Sequence, residues 1–452
     1  MGASSSKDTE LENALSKFDE GQAEKLESVF DSLSTDNILD KSKLEKHLSP
    51  YFPGNFINQI YNAFNVQAKD ASNIKVEKRD FLVSICKVLK GYLREKAAIL
   101  HDLSTTNIYE SNFNLLLELC KTLIEAYIKA VEKSGLGSSH MQTGTTNEAN
   151  TSLAMQLTSS IPEEKHGNLS VDDVETWMQK EVLVTRLFED VFKACFLGAD
   201  TILDTHKHGL KEGCEPTVEH MPRRTDILLP CKLDFQGHNI KTIIDIPAML
   251  MLNHAVPLEC RHIWRLLFAT SCHGKSFTTF LHRIVYQGPT ILLVKDREGA
   301  AFGGFASTSW RVKSSFVGNH DCFVFTLKPS VVVYHPTGMN DHYMYLNVGM
   351  KTIPNGLGMG GQFEYFGLWL DSEFGPGHSK AHPKSTTYGN PQLSASEEFQ
   401  IEEIEVWGVG VAPEQEEQER SVLDREIDAQ AILDLIGKER KSDGLREPED
   451  SD

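Results

Sequence analysis

Partway along this chain the spacing of its apolar residues changes period, and that change most restricts the folds open to it. Upstream of about Asp204 the apolar residues recur three or four apart, as on helix faces. Leu26, Val29, Phe30 and Leu33 make one stripe; Phe81, Ile85, Val88 and Tyr92 make a second. Phe113, Leu116, Cys120, Ile124, Tyr127 and Val131 make a third, and a further helical pair carries Trp177, Met178, Val182, Leu187, Val191 and Phe192. After Thr225 short runs alternate with period two, as where Phe323, Phe325 and Leu327 flank Val324 and Thr326, with frequent glycine between runs. One helix interrupts them, with Phe277, Phe280, Leu281 and Ile284 on its face and Ser276 as N-cap. The chain is therefore expected to be α+β: a helical region, then an antiparallel β-sandwich with flanking helices.

The boundaries follow from composition. We expect an N-terminal segment over 1–10, a helical region over 11–131, and a flexible linker over 132–160 rich in Ser, Thr, Gly, Asn and Gln. A helical continuation over 161–203 precedes the mixed domain over 226–412. A C-terminal helix over 413–440 and an acidic tail over 441–452 follow. The net charge of −19 over 452 residues argues against nucleic acid as a partner. From Glu414 to Asp452 there are 14 acidic and 6 basic residues, a net of −8. No apolar run approaches the ~20 residues of a membrane span, and no signal-peptide pattern opens the chain. A cytosolic chain is expected unless something anchors it. The eight cysteines form no C-x-x-C pair, which suggests neither zinc nor redox chemistry and suits a reducing compartment.

An anchor is suggested at the start. Met1-Gly2-Ala3-Ser4-Ser5-Ser6-Lys7 fits the M-G-x-x-x-[ST] pattern, which makes Gly2 the expected site of myristoylation. One such chain binds membranes only marginally. Asp8, Glu10 and Glu12 follow Lys7, so no polybasic stretch assists it, and a protein contact is expected to cooperate.

The helical region invites a comparison with calcium-binding EF-hand loops, which need oxygen ligands at positions 1, 3, 5 and 12 and glycine at 6. Asp31–Ser42 has Leu33 at position 3 and Asp36 at 6, and Gln67–Lys78 ends on Lys78. Pro162–Asp173 keeps Gly167 and Asp173 but begins on proline. The helix–loop–helix shape can persist, but each ligand set is broken. No metal site is expected.

The most tempting catalytic signal is Ala269-Thr270-Ser271-Cys272-His273-Gly274-Lys275-Ser276, which imitates a phosphate-binding P-loop between a strand and a helix. Asp296 imitates the accompanying magnesium-binding aspartate. The first glycine is missing, and hairpins rather than βαβ units follow. A tight turn with Ser276 capping a helix competes with nucleotide binding, and is preferred. Gly356, Gly358, Gly360 and Gly361 read better as close backbone approach in a sheet than as a phosphate loop. His320, His342, His378 and His382 accompany no nucleophile elbow or H-E-x-x-H motif. No catalytic residue and no cofactor is expected. Finally, Leu423, Ile427, Ala431 and Leu435 recur four apart, with Ile432 beside them, after a glutamate-rich connector. A helix like this packs on its own domain or docks in a partner's groove, and docking is the preferred reading.

Trp264-Arg265-Leu266-Leu267, Gly274-Lys275-Ser276-Phe277 with Phe280-Leu281, and Gly288-Pro289-Thr290 together resemble the TLDc domain. So do Phe302-Gly303-Gly304-Phe305-Ala306, Gly360-Gly361, Phe366-Gly367-Leu368-Trp369-Leu370 and Ile404-Glu405-Val406-Trp407-Gly408. The order of lipid site, EF-hand-like helices, TLDc domain and final helix is most similar to the family's myristoylated, mTOR-associated branch at lysosomes. That resemblance implies a non-enzymatic regulator bound to V-ATPase subunits and mTOR pathway components. It would sit on the cytoplasmic face of the lysosomal membrane with a cytosolic pool. The family's link to oxidative-stress resistance leaves antioxidant or nucleotide-binding activity as the alternative.

Overall fold

Side-chain caps and apolar faces set the helices of the N-terminal part. The computed structural model describes residues 10–64, 75–105, 112–135, 146–202, 228–380 and 382–413. These fall into a helical unit, which takes in 245–251, and a strand-rich unit of 229–244 and the chain from 252 onwards. In the helical unit α1 (Glu20–Leu33) starts at Asp19, whose carboxylate accepts the Gln22 N–H at 2.8 Å. The two-residue strands β1 (Ser34–Thr35) and β2 (Ile38–Leu39) then pair across Asp36 and Asn37, both left-handed. Asp40 caps α2 (Lys41–Leu48). Helices α3 (Gly54–Ala63) and α4 (Lys78–Lys90) follow, and the Leu39 N–H donates to the Val76 carbonyl at 2.9 Å. The first loop thus runs hydrogen-bonded beside the residues entering α4.

The unit continues through α5 (Leu93–Leu103), α6 (Phe113–Ser134), α7 (Asn147–Thr158), α8 (Val171–Lys180) and α9 (Val182–Leu197). Within the expected linker over 132–160, the stretch Asn147–Thr158 is corrected to a helix, α7. Thr146 caps it, and Ala149, Leu153, Ala154 and Leu157 are buried along one face. Tyr92 also departs from its expected stripe. Gly91 ends α4, and Tyr92 stands 79% exposed at the start of α5. The core is aromatic: Phe81 lies 5.4 Å from Phe30, 5.4 Å from Phe64 and 5.5 Å from Phe196, ring centre to ring centre. Phe196 of α9 thus packs against Phe64 at the end of α3 and Phe81 of α4, with Phe192 beside it.

The strand-rich unit holds β3 (Lys232–Asp234), β4 (Ile263–Ala269), β5 (Thr290–Asp296), β6 (Ala301–Ala306), β7 (Lys313–Val317), β8 (Phe323–Lys328) and β9 (Val332–Tyr334). After them come β10 (Met344–Asn347), β11 (Gly356–Gln362), β12 (Tyr365–Asp371), β13 (Pro376–His378) and β14 (Glu398–Val409). Helices α10 (Ile246–Ala255), α11 (Thr270–His273) and α12 (Phe277–Ile284) interrupt them, the start of α10 grouping with the helical unit. Pairing is antiparallel except between β3 and β4. One layer runs β7-β10-β11-β12-β13 and the other β14-β5-β6-β8-β9, with β4 on the far side of β14. β14 joins them: its first residues pair with β13 and its later ones with β5 and β4. Leu292, Val294, Phe302 and Val406 from one layer meet Leu346, Leu357, Met359 and Leu368 from the other. The alternation read at Phe323–Leu327 does not mark a wet face, because Val324 and Thr326 are buried too.

Candidate functional site

The corner from β4 through α11 to α12 carries the residues that imitate a phosphate loop. β4 is buried along almost its whole length and leads at once into the single turn of α11. There the Ala269 N–H donates to His273 Nδ1 at 3.0 Å, and the Ile404 N–H donates to Thr270 Oγ1 at 3.1 Å. Gly274 ends the turn at φ 78, which the missing Cβ permits. Ser276 caps α12, its hydroxyl accepting the Thr279 N–H at 3.4 Å, as its position in the sequence suggests. Lys275 is exposed. Asp296, the apparent magnesium ligand, is buried instead. Its Oδ1 accepts the N–H groups of Glu298 and Ala300 at 3.0 and 2.8 Å, and Oδ2 accepts that of Ala395 at 3.0 Å. The carboxylate ties two loops together.

Glu405, on the β14 segment beside β4, is a second buried carboxylate, met in the sequence only as one residue of the family motif. It accepts bonds from the Thr242 hydroxyl at 2.5 Å, the Ile243 N–H at 2.8 Å and the Trp407 indole at 3.0 Å. Burial pushes its pKa up to about 7, and the three donors only partly offset this.

The glycines of β11 allow close backbone approach. A Cβ on Gly358 would stand 2.5 Å from the Phe366 ring, and one on Gly361 would stand 2.1 Å from the Tyr365 carbonyl. His320, His342, His378 and His382 do not converge on one another. His342 stacks on Phe316, His382 meets Glu397 at 3.1 Å, and exposed His320 lies by Asp321. His378 stacks on Trp369, and burial pushes it down to about 4.

Two acidic groups at end positions of the EF-hand-like loops, Asp31 and Asp173, are engaged by the chain itself. The Lys78 ammonium, at the last position of the second loop, lies 3.2 Å from Asp31, the first position of the first loop. It also reaches Glu27 at 3.1 Å. Asp173 closes a capping box with Ser170 and pairs with Lys165 at 3.2 Å. The Ser170 hydroxyl and that lysine hold its carboxyl below the ordinary range.

Gly2, the expected lipid site, and Leu423, Ile427, Ala431, Ile432 and Leu435, expected on a C-terminal helix, lie outside the described residues. One grouping escaped the sequence reading: His238, Cys272 and His273 bring three potential metal-binding atoms within 4.8 Å of one another. Nothing in their spacing announces it, because His238 lies far upstream in the loop after β3.

A model of the TLDc domain matches residues 238–410. The chain is 39% identical over 395 residues to the MTOR-associated protein MEAK7 of Xenopus laevis, an alignment covering 84% of this chain and 82% of that protein. It is 33% identical over 460 residues to the MTOR-associated protein MEAK7 of Homo sapiens, covering 96% of each. Oxidation resistance protein 1 of Bos taurus is 32% identical over 187 residues, 39% of this chain and 20% of that protein.

Proposed function

The chain belongs to the TLDc-domain family, among the proteins named MTOR-associated protein MEAK7, and from that premise we propose that it is a non-enzymatic adaptor in mTOR signalling. The observation that carries this reading is the reach of the relationship. It spans 96% of both chains in the human case, so the helical unit and the TLDc domain are kept together. The residues that imitate catalysis are also already employed, Ser276 as a cap and Asp296 as a loop tie. The adaptor is held at the cytoplasmic face of the lysosomal membrane by a myristoyl group on Gly2. The helix bearing Leu423, Ile427, Ala431, Ile432 and Leu435 supplies the second contact, on the V-ATPase. A single acyl chain alone gives only reversible binding, which is why a protein contact belongs in the scheme.

Affinity purification of the full-length protein from lysosomal membranes tests this. The expected result is recovery of mTOR pathway components together with pump subunits. Their absence, combined with an ATP-dependent rise in the melting temperature of wild type but not of Lys275→Ala, would favour the nucleotide-binding alternative.

A further inference from the structure

Cys272 and His273 are fixed on α11 between the end of β4 and the turn at Gly274, and Phe268 stacks on the His273 ring at 5.6 Å between centres. Cys272 Sγ stands 3.3 Å from His273 Nδ1 and 3.8 Å from Nε2. The His238 ring meets the His273 ring edge-on, 4.9 Å between centres. All three residues are partly exposed, so an ion can reach them from solvent.

We propose that His238, Cys272 and His273 form a three-ligand site for zinc(II). Two imidazoles and one thiolate suit a borderline-soft ion and disfavour magnesium or calcium, which demand oxygen. Zinc binds sulfur at about 2.3 Å and nitrogen at about 2.0–2.1 Å, so two nitrogens and one sulfur on a tetrahedral ion lie roughly 3.3–3.6 Å apart. The Cys272–His273 separations lie within a few tenths of an ångström of this, and the other spacings, within 4.8 Å, need to close by at most about 1.5 Å. Three protein ligands leave the fourth position to water. Two features keep the ion exchangeable. Capture at His273 Nδ1 displaces the Ala269 N–H, and the Arg283 guanidinium is close enough to act on both Cys272 and His273.

The test is titration of chelator-stripped, full-length protein with zinc chloride, followed by calorimetry and by metal analysis. One zinc per chain is expected, bound about tenfold or more weakly by His238→Ala and by Cys272→Ser, and unchanged in Cys231→Ser. Should a variant fail to fold, alkylation of the wild-type chain decides: zinc should slow modification of Cys272 and leave Cys231 unaffected. Absence of stoichiometric zinc, unaltered affinity in both ligand variants, or equal Cys272 alkylation with and without zinc would overturn the site.

Discussion

Ser276 and Glu405 show how differently two polar side chains serve one domain. The Ser276 hydroxyl satisfies a free N–H at the start of α12, so Ser276→Ala should cost roughly 1 kcal/mol in urea denaturation. Lys275→Ala, next to it but exposed, should stay within about 0.5 kcal/mol. Glu405 predicts a dependence on pH. Its carboxyl takes up a proton more readily folded, near 7, than at its ordinary value of 4.5. Between those values the unfolded chain loses the proton first, so stability falls as pH rises, by an amount on the order of 3 kcal/mol. Urea denaturation followed by tryptophan fluorescence should show this slope in wild type and its loss in Glu405→Gln. A slope kept by the variant would assign it elsewhere. The cap was legible in the sequence because it acts over three residues. Glu405 was not, because its partner Thr242 is 163 positions away and only folding shows that the carboxylate is buried.

At the level of elements, α9 organises the helical unit. Phe196 sits among Phe64, Phe81 and Phe192, and Phe196→Ala should cost about 3–5 kcal/mol in chemical denaturation. The loops predict no tight calcium binding. With Lys78 across Asp31 and Asp173 committed to Ser170 and Lys165, calorimetric titration at micromolar calcium should give no heat. A sub-micromolar isotherm would contradict this. Long, strongly apolar faces such as that of α6 were readable, as was the close backbone approach at Gly358 and Gly361. The face of α7 was not, because Ala149, Leu153, Ala154 and Leu157 are diluted by Asn, Thr, Ser and Gln that imitate a linker. Residue spacing also could not show that His238 returns to α11, since that meeting depends on the parallel pairing of β3 with β4.

For the whole molecule, the proposed anchor at Gly2 and the proposed docking helix at Leu423, Ile427 and Leu435 work as a pair. The net charge of −19 gives the chain little general attraction to anionic lipid, so the proposed attachment rests on these two proposed contacts. Gly2→Ala should move the protein towards the soluble fraction, read by fractionation alongside labelling with a myristate analogue. The central claim is tested most directly by replacing Leu423, Ile427 and Leu435 together with Asp and measuring co-purification with the V-ATPase from lysosomal membranes. The pump should be lost while the melting temperature of the TLDc domain is unchanged. Undiminished recovery of the pump, or cooperative unfolding of the TLDc domain in the variant, would contradict it.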